Sequence, residues 1–298
     1  MISVRRRIFR LKLQSRSLML GERTLVMGVL NVTPDSFSDG GKFFSVERAV
    51  ERALAMEKAG ADILDIGAES TRPGSQEVSS AEELARLLPV LGGLRGRLKI
   101  PISVDTQKGR VAEMAVGAGA AMLNDISGLK RDAQLSEVAA RYRVPLVLMH
   151  MRGNPRTMQR MPFARYVVRD VIAGLRRSIG LAQRAGVAKS QIVVDPGIGF
   201  GKSFAQNFEL LRKLPLIAKL GYPLLVGTSR KGFIAATLAR NGKSVPVEER
   251  MWGTAATVTA SILNGAHIVR VHDVDEMVQV ARVSDAVLGG PSATRSKR

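Results

Sequence analysis

Residues 268 to 274 read IVRVHDV, in which an arginine, a histidine and an aspartate interrupt a run of β-branched residues. Successive side chains of an extended strand point to opposite faces, so Arg270 and His272 share one face while Val269 and Val271 share the other. Arginine and histidine can bind an anion, and histidine can also titrate. An edge strand with one solvated face would show the same pattern, and only the rest of the chain separates the two interpretations.

Polar residues also close seven other apolar runs of the chain. At the end of a single strand, such a residue is ordinarily a cap or part of a turn. If eight strands close one ring, however, their ends meet at one mouth, and groups that can bind or titrate are concentrated there. The strand-end residues are Asn31, Thr71 with Arg72, Asp105, Asn124, His150, Asp195, Ser229 to Lys231, and Arg270 with His272.

The eight runs alternate with helical stretches, and this alternation predicts the fold. Each run is almost continuously apolar, as expected for a parallel strand that helices cover on both faces. Eight strand and helix pairs in about 250 residues are typical of the (β/α)8 TIM barrel, an α/β fold, whereas a doubly wound sheet rarely has so many. The runs are LVMGVLNVT, ADILDIGAEST, IPISVDT, AMLNDISG, VPLVLMH, QIVVDPGIG, YPLLVGTSR and HIVRVHDV.

Capping patterns indicate where three of the intervening helices begin. Ser80 with Glu83, and Ser203 with Gln206, have the spacing of a capping box, in which the serine and the residue three positions later satisfy each other's backbone N–H groups. Pro246 suits the first turn of a further helix. These starts are consistent with helices between the runs.

The chain divides into three parts on its sequence pattern. Residues 8–24 alternate and turn like a β-hairpin, which we expect to close the N-terminal mouth, or bottom, of the barrel. We therefore predict a basic N-terminal segment with a hairpin over 1–24, a single barrel domain over 25–288 and a flexible basic tail over 289–298.

The net charge of +19 is concentrated at the two ends of the chain. Residues 1–23 carry seven basic side chains against one acidic, and the last ten residues carry three more. Only 4% of the residues are aromatic, so stacking on bases has little to use, and we do not expect nucleic-acid binding. The remaining positive charge suits small anionic substrates.

Composition also limits the metal chemistry and the location of the protein. There are no cysteines, so disulfides and thiolate metal sites are excluded and a hard cation held by oxygen or imidazole ligands is favoured. The apolar runs are short, and the arginine-rich start is not followed by an apolar signal core. We expect a soluble cytoplasmic protein that does not interact with membranes.

Three loops have compositions that suit ligand binding. The first and second runs lead into NVTPDSFSDGG and ESTRPGS, which are polar and rich in Gly, Pro and Ser, as in mobile loops that cover a ligand. The seventh run leads through GTSRKG into a helix, which would place Ser229 at a helix N-terminus, where backbone N–H groups favour a carboxylate or phosphate.

These motifs resemble the dihydropteroate synthase family of folate biosynthesis, whose members are pterin-binding TIM barrels. The matching stretches span roughly residues 25 to 275 in the order of the family, and eight ordered motifs are far more specific than one glycine signature. They are GVLNVTPDSFSDGG, DIGAESTRPGS, ISVDT, NDISG, MHM, VVDPGIGFGK, GTSRKGFI and GAHIVRVHDV.

The resemblance implies an enzyme, a transferase that condenses 6-hydroxymethyl-7,8-dihydropterin diphosphate with 4-aminobenzoate to give 7,8-dihydropteroate and diphosphate, assisted by Mg²⁺. By family position, Asp195 binds the amino group and ring N–H of the pterin as a fork, since a carboxylate accepts two parallel hydrogen bonds. Asp105 and Asn124 bind neighbouring pterin edges, Met149 lines the pterin pocket, and Lys231 donates to the pterin carbonyl oxygen and ring nitrogen.

The departing diphosphate would lie at the run IVRVHDV, residues 268 to 274. The family reaction proceeds largely by ionisation at the pterin methylene, so negative charge builds on the leaving group, where preorganised donors are most effective. Arg270 and His272 are implied as those donors and Asn31 as the protein ligand of Mg²⁺. The residues implied in catalysis are therefore Asn31, Asp105, Lys231, Arg270 and His272.

The second substrate, 4-aminobenzoate, carries a carboxylate and an aromatic ring. Ser229, with Arg72 and Pro73 of the second loop, resembles the family site for this substrate, and Thr71 belongs to the same loop. Phe37 and Phe200 are candidates to enclose the ring, and the alternative for Phe200 is a place in the core. His150 resembles pterin-pocket lining, as Met149 does, but it is equally a candidate for a buried hydrogen-bonded histidine and is not assigned to catalysis.

Three other functions compete with this interpretation. A pterin-binding methyltransferase domain shares the barrel but expels no diphosphate, so it does not need both SRKG and RVHDV. A Schiff-base aldolase would use a lysine desolvated on a strand, whereas Lys231 follows Arg230 at a corner. The third is a basic RNA-binding scaffold, which the shortage of aromatic residues disfavours. Family members are usually homodimers through late helices, and the small-residue run GTAATVTASI would permit such close packing, although it could equally pack on the barrel.

Overall fold

The structure is a computed structural model that describes residues 6–33, 42–70, 75–154, 157–158 and 163–289, with the side chains of 42–45 left out. The predictions for Phe37, Thr71, Arg72, Pro73 and the tail from residue 290 lie outside the described residues. The division of the chain into three parts stays a prediction.

In the described parts of the chain, ten strands form two sheets. The first two strands pair antiparallel as a hairpin, and the other eight form one parallel sheet in the order β8-β7-β6-β5-β4-β3-β10-β9. A further parallel bridge between Val194 and Leu224 brings β8 to β9 and closes the sheet, so the predicted TIM barrel is confirmed. The strands are β1 (Phe9–Lys12), β2 (Ser17–Leu20), β3 (Leu25–Asn31), β4 (Ile63–Gly67), β5 (Ile102–Asp105), β6 (Met122–Asp125), β7 (Leu146–Met149), β8 (Ile192–Asp195), β9 (Leu225–Val226) and β10 (Ile268–Val271).

Helices lie between the strands and cover the barrel. Apolar side chains from the outer faces of the strands and the inner faces of the helices make one continuous core. The helices are α1 (Lys42–Lys58), α2 (Ser80–Leu94), α3 (Gly109–Gly117), α4 (Gln134–Tyr142), α5 (Val167–Arg184), α6 (Phe204–Arg212), α7 (Leu214–Ala218), α8 (Gly232–Thr237), α9 (Met251–Leu263) and α10 (Val274–Val287), with 3-10 turns at Lys189–Gln191 and Val247–Arg250.

The capping predictions are confirmed for α6 and wrong by one residue for α2. Ser203 and Gln206 form the reciprocal capping box at the start of α6. At α2 the cap is Ser79, which has the extended backbone that a cap needs and accepts a hydrogen bond from the N–H of Glu82 at 3.2 Å. Pro246 precedes a 3-10 turn that leads into α9 rather than starting the α-helix itself.

The hairpin closes the bottom of the barrel, as predicted. Leu11 of β1 and Leu20 of β2 are buried, and they pack against apolar residues at the N-terminal ends of the barrel strands. Those inner residues are Leu25, Met27, Ile63, Met122, Val147, Val193, Leu225 and Ile268. The bottom of the barrel is therefore filled by an apolar plug.

The same inward faces become polar one step higher. Because side chains of a strand alternate, the residue two positions after an inner apolar residue also points into the barrel, but nearer its C-terminal mouth. The pairs are Ile63 with Asp65, Met122 with Asn124, Val193 with Asp195, and Ile268 with Arg270. The alternation therefore places two acids, an amide and an arginine above the apolar plug, on the side of the C-terminal mouth.

Arg6 fastens the N-terminal segment to the last helix. Its guanidinium forms an ion pair with Asp285 of α10 at 2.5 Å and donates to the Thr24 hydroxyl at 2.6 Å, and all three residues are buried. Asp285 also accepts from the backbone N–H of Thr24 at 2.7 Å. Among the residues that the structure describes, none of the helices is long and apolar enough to cross a membrane.

Candidate active site

A cavity of about 770 Å³ opens at the C-terminal ends of the barrel strands. A volume of this size suits a substrate of drug-like dimensions. Every predicted site residue that the structure describes lines it, so residues separated by more than 200 positions in the chain share one opening. They are Asn31, Asp105, Asn124, Met149, Asp195, Phe200, Ser229, Lys231, Arg270 and His272.

Arg270 is held between two carboxylates. Its Nε donates to Asp65 Oδ2 at 2.7 Å, and one terminal nitrogen donates to Asp105 Oδ2 at 2.9 Å. Arginine has five N–H donors in a planar fork, so these two bonds fix the plane of the group and leave three donors. Arg270 therefore presents a fixed cationic face to the cavity, consistent with its predicted role toward an anion.

The pattern of polar residues at the strand ends did not predict Asp65 as a site residue. It lies in the middle of β4 and is fully buried, and its Oδ2 also accepts from the side-chain amide of Asn124 at 3.0 Å. Its Oδ1 has no hydrogen-bond partner in the described part of the chain. An acid flanked by isoleucine and leucine within a buried strand was the available signal, since an ionised carboxylate in that position needs a cation.

Asp105 is an acid with a strongly perturbed proton affinity. Burial raises its pKa to about 7; Arg270 opposes the rise, and the negative charge of Asp65 adds to it. The carboxyl therefore binds a proton more readily than an exposed aspartate does. Strand pairing places it beside Asn124 of β6, and Gly67 of β4 lies on its other side.

Asp195 is the second cavity acid. Its Oδ1 accepts from the N–H of Gly197 at 2.7 Å, which fixes the carboxylate at the end of β8. Burial raises its pKa to about 6, while the hydrogen bond from Gly197 and the charge of Lys231 hold it down. The remaining acceptor positions of the carboxylate are available for a fork of two donors.

Lys231 reaches the cavity across the ring of Phe200. The ammonium lies 4.0 Å from the ring centroid, a cation–π contact, and Gly199 gives the lysine stem room because a Cβ there would lie 3.1 Å from it. Burial lowers the pKa of Lys231 to about 8, and Arg270 lowers it further while Asp195 opposes. At neutral pH the group remains a cation that can donate.

Ser229 and His272 are joined directly. The Ser229 Oγ lies 3.0 Å from His272 Nδ1 and accepts from the backbone N–H of His272 at 3.2 Å. Burial lowers the pKa of His272 to about 3, and the charge of Arg270 contributes, so the imidazole is neutral. The expected position of Ser229 at a helix N-terminus is wrong by two residues, since the cap of α8 is Lys231.

The corner between Ser229 and Lys231 is braced through Arg230, which itself lines the cavity. Arg230 has a left-handed backbone with φ of 61° and pairs with Asp273 through two hydrogen bonds, one of 3.0 Å from its Nε. Its backbone N–H donates to Thr254 Oγ1 at 3.1 Å, and its carbonyl accepts from Arg250 at 2.9 Å. These contacts hold the flanking residues in place at the rim.

Asn31 lies beside Asp105 across the bare backbone of Gly67. A Cβ on Gly67 would lie 3.7 Å from Asn31 Oδ1 and 3.8 Å from Asp105 Oδ2. Among the described residues, no group of three or more His, Asp or Glu side chains is arranged to hold a metal by itself. An amide oxygen fits Mg²⁺ only where a substrate supplies further oxygens, which is how Mg²⁺ is commonly bound with phosphates.

His150 and Lys202 form a buried cluster at the edge of the cavity. Lys202 donates to the carbonyls of His150 and Phe200, both at 2.9 Å, and its Nζ lies 3.1 Å from His150 Nδ1. Burial lowers the pKa of His150 to about 2 and that of Lys202 to about 7. These bonds shape the loop after β8, so His150 serves the structure of the wall, the alternative considered for it.

A second buried lysine supports the loop after β4. Lys108 pairs with Glu69 at 2.7 Å and with Glu83 of α2, and Glu69 also accepts from the backbone N–H of Val78 at 3.2 Å. Both carboxylates are largely removed from solvent. No sequence pattern predicts this triad, because its members are 14 and 25 positions apart.

Comparison with known proteins identifies the family. A profile described as pterin binding enzyme matches residues 27–272. The chain is 49% identical over 267 residues to the dihydropteroate synthase of Synechocystis sp., covering 90% of this chain and 91% of that protein. It also resembles two solved structures of Xanthomonas albilineans dihydropteroate synthase.

The first of these structures contains 4-aminobenzoic acid. It has a TM-score of 0.87 at 43% identity and covers 96% of this chain and 100% of its own. The second contains 7,8-dihydropteroate and has a TM-score of 0.83 at 41% identity, covering 95% and 100%. The chain therefore belongs to the pterin-binding enzyme family and, within it, to the dihydropteroate synthases.

Proposed function

We propose that the chain condenses 6-hydroxymethyl-7,8-dihydropterin diphosphate with 4-aminobenzoate to give 7,8-dihydropteroate and diphosphate. One observation carries the proposal: Asp195, an acid suited to a flat heterocycle, and Arg270, a fixed cation suited to diphosphate, line the same cavity. The Xanthomonas albilineans relatives, whose structures contain 4-aminobenzoic acid and 7,8-dihydropteroate, support the second substrate and the product.

The pterin would be recognised by the deep acids. Asp195 keeps acceptor positions for the amino group and ring N–H of the pterin, and Asp105 with Asn124 lines the adjoining wall. Lys231 would donate to the pterin carbonyl oxygen from its place above Phe200. The bonds made by a bidentate carboxylate are strongest where water is excluded, and all of these groups are mostly buried.

The leaving group would depart toward Arg270 and His272. The bond between the pterin methylene and the diphosphate oxygen breaks, and its electron pair leaves with the diphosphate. The amine nitrogen of 4-aminobenzoate then bonds to the methylene and releases a proton to the diphosphate. Three unused N–H donors of Arg270 and the neutral imidazole of His272 meet the growing negative charge without reorganising.

Mg²⁺ would assist this departure, with Asn31 as its protein ligand. When bound, the ion would neutralise charge on the diphosphate, whose oxygens and water would complete the shell that one amide cannot supply. Asn31 Oδ1 faces the bare side of Gly67 near Asp105, which leaves room for such a group.

The 4-aminobenzoate would lie between Phe200 and the corner at Ser229. Ser229 lines the cavity beside Lys231, so a hydroxyl and a cation are available to its carboxylate. Arg72 and Pro73 of the loop after β4 are further proposed contacts. Phe200 is only 9% exposed and packs with Ile126 and several methionines, so it supplies one wall of this subsite rather than a free stacking face.

We also propose a cytoplasmic homodimer formed through α9 and α10. Trp252 is 82% exposed at the start of α9, and Val283 and Val287 of α10 are 67% and 72% exposed. The two helices pack on each other, and Ser284 donates to Thr259 at 3.2 Å between them. Equilibrium sedimentation should give twice the chain mass, and Trp252→Glu should shift it toward one; a monomeric parent protein would contradict this proposal.

The catalytic proposal is tested by an assay of the purified chain. Both substrates with Mg²⁺ should yield dihydropteroate and diphosphate in equal amounts. Adding EDTA should reduce the rate, and Mg²⁺ in excess should restore it. Without either substrate no dihydropteroate should form, and a chain that binds a pterin but releases no diphosphate would overturn the proposal.

A further inference from the structure

Asp65 is a charged residue that the substrates have no means of reaching. Its side chain is fully buried, and it does not line the cavity, whereas Asp105 lines the cavity and has a side chain 10% exposed. The desolvation of a buried carboxylate is unfavourable unless a cation and hydrogen bonds offset it. Burial of Asp65 is therefore unfavourable by itself, and the hydrogen bonds that offset this cost come from neighbouring protein side chains.

Those contacts converge on one oxygen. Asp65 Oδ2 accepts from Arg270 Nε at 2.7 Å and from Asn124 Nδ2 at 3.0 Å, so it joins β10 to β6 across the barrel. The Nε–H lies at the stem of the guanidinium, and a bond at that atom fixes the rotation of the planar group about its stem. The bond that a terminal nitrogen of Arg270 donates to Asp105 Oδ2 fixes the other end of the same edge.

The two acids would respond differently to a bound pterin. Asp105 faces the cavity and is a proposed contact of the pterin edge, so part of its hydrogen-bonding capacity would go to the substrate. Asp65 remains beneath, out of contact with any ligand. Arg270 needs one carboxylate that makes no hydrogen bond to the substrate. Without it, the buried guanidinium would lack a partner and would turn toward the nearest other acid.

We propose that Asp65 is a positioning residue, which holds the guanidinium of Arg270 in the plane that faces the departing diphosphate. This inference rests on the proposed function. Asp65 acts through Arg270, touches no substrate and is distinct from the cavity acids. Misplacing a catalytic group by about 1 Å can cost on the order of 100-fold in rate, which sets the scale of the expected effect.

The first test is the kinetics of Asp65→Asn, which keeps the shape but removes the charge. We expect kcat to fall about 10- to 100-fold while the KM for 4-aminobenzoate changes by less than about threefold, because that subsite lies elsewhere. Asp62→Asn is the matched control: Asp62 pairs with Arg23 at the opposite end of the barrel, and kcat should be unchanged. An unchanged kcat in Asp65→Asn would overturn the inference.

A double-mutant cycle separates positioning from a general loss of structure. If Asp65 acts through Arg270, the charge removal should have little further effect on kcat in an Arg270→Ala background. A loss as large as in the parent would mean that Asp65 acts by another route, such as Asn124, and would also overturn the inference.

A third measurement needs no variant of Asp65. In a 15N NMR spectrum of the unmodified protein, the Nε–H signal of Arg270, assigned by its loss in Arg270→Lys, should exchange with solvent far more slowly than those of surface arginines. Exchange at the surface rate would contradict the Asp65 contact even if Asp65→Asn did not fold. An inactive parent enzyme with a protected Nε–H would count against the proposed function and not against this geometry.

Discussion

The ammonium of Lys231 lies 4.0 Å from the centroid of the Phe200 ring, where the proposed pterin and 4-aminobenzoate subsites meet. Phe200 comes from the loop after β8 and Lys231 from the cap of α8, so the contact joins two separate strand ends. Burial already lowers the pKa of Lys231 to about 8, and the ring face favours its charged form.

Phe200→Leu should therefore make Lys231 easier to deprotonate. A cation–π contact contributes roughly 0.5 to 2 kcal/mol, so its loss should move the alkaline limb of the rate profile to lower pH by about one unit. The pH dependence of kcat measures this. Phe9→Leu, which loses a ring contact with His267 at the bottom of the barrel, is the control and should leave the limb in place. Coincident limbs in both variants would contradict the prediction.

Pterin affinity should depend on the ionised form of Asp195. Burial raises the pKa of this carboxyl to about 6, so below that pH the acid is protonated and loses one acceptor of the fork. Calorimetry with a dihydropterin should show affinity rising as the pH increases through about 6. Asp195→Asn should bind about 10-fold or more weakly at pH 7.5 and lose this dependence, since charged hydrogen bonds contribute about 1.5 to 3 kcal/mol. Equal dihydropterin affinities of the parent and Asp195→Asn would exclude the assignment of Asp195 to the pterin.

Arg270→Ala should slow diphosphate formation more than it weakens 4-aminobenzoate binding. Losing one preorganised donor costs about 3 kcal/mol of transition-state stabilisation, or about 100-fold in rate. Arg270→Lys keeps the charge but not the planar fork, so its rate should lie between the two. Rapid-quench measurement of diphosphate reports the step directly. A variant whose diphosphate appears at the parent rate would rule out the role given to Arg270.

His267 should make the fold sensitive to acid. Its Nδ1 accepts from the N–H of Leu224 at 3.1 Å, and its Nε2 lies 3.0 Å from the carbonyl of Arg7. Burial lowers its pKa to about 4, whereas the unfolded chain titrates near 6.5. The unfolded state binds more protons between these values, so stability is present above pH 6.5 and is lost as the pH falls toward 4.

The size of that loss is on the order of 3 kcal/mol for this group. Urea unfolding of the parent and of His267→Gln at pH 7 and pH 5 isolates the contribution of His267, because His150 and His272 contribute equally to both proteins. The parent should lose more stability than the variant over this interval. Parallel losses would show that His267 is not the group responsible.

The clip between Arg6 and Asp285 should contribute to stability and not to catalysis. Arg6→Ala leaves Asp285 buried without its cation, a change that costs about 3 to 5 kcal/mol. Arg10→Ala, which removes an exposed arginine that donates to Ser17, should cost less than about 1 kcal/mol. Thermal unfolding measures both, and equal unfolding temperatures in the two variants would refute the role of the clip.

The sequence by itself determined the barrel and most of its rim. Near-continuous apolar runs mark strands covered on both sides, and a period of two decides which residues of each run face inward. Arg270 and Asp195 could be placed at one mouth on this basis, because parallel strands that alternate with helices end on the same side. These are local properties, which the residues within each run specify without knowledge of the others.

Only the tertiary structure decided which of those groups touch. Asp65 and Arg270 are 205 positions apart, and their hydrogen bond depends on the closure and stagger of the sheet. Asp65 sits in mid-strand, so a search of strand ends did not include it, and Lys202 likewise gains its partners from the carbonyls of a folded loop. Pairing across a barrel is set by how all eight strands close together, and no single segment carries that information.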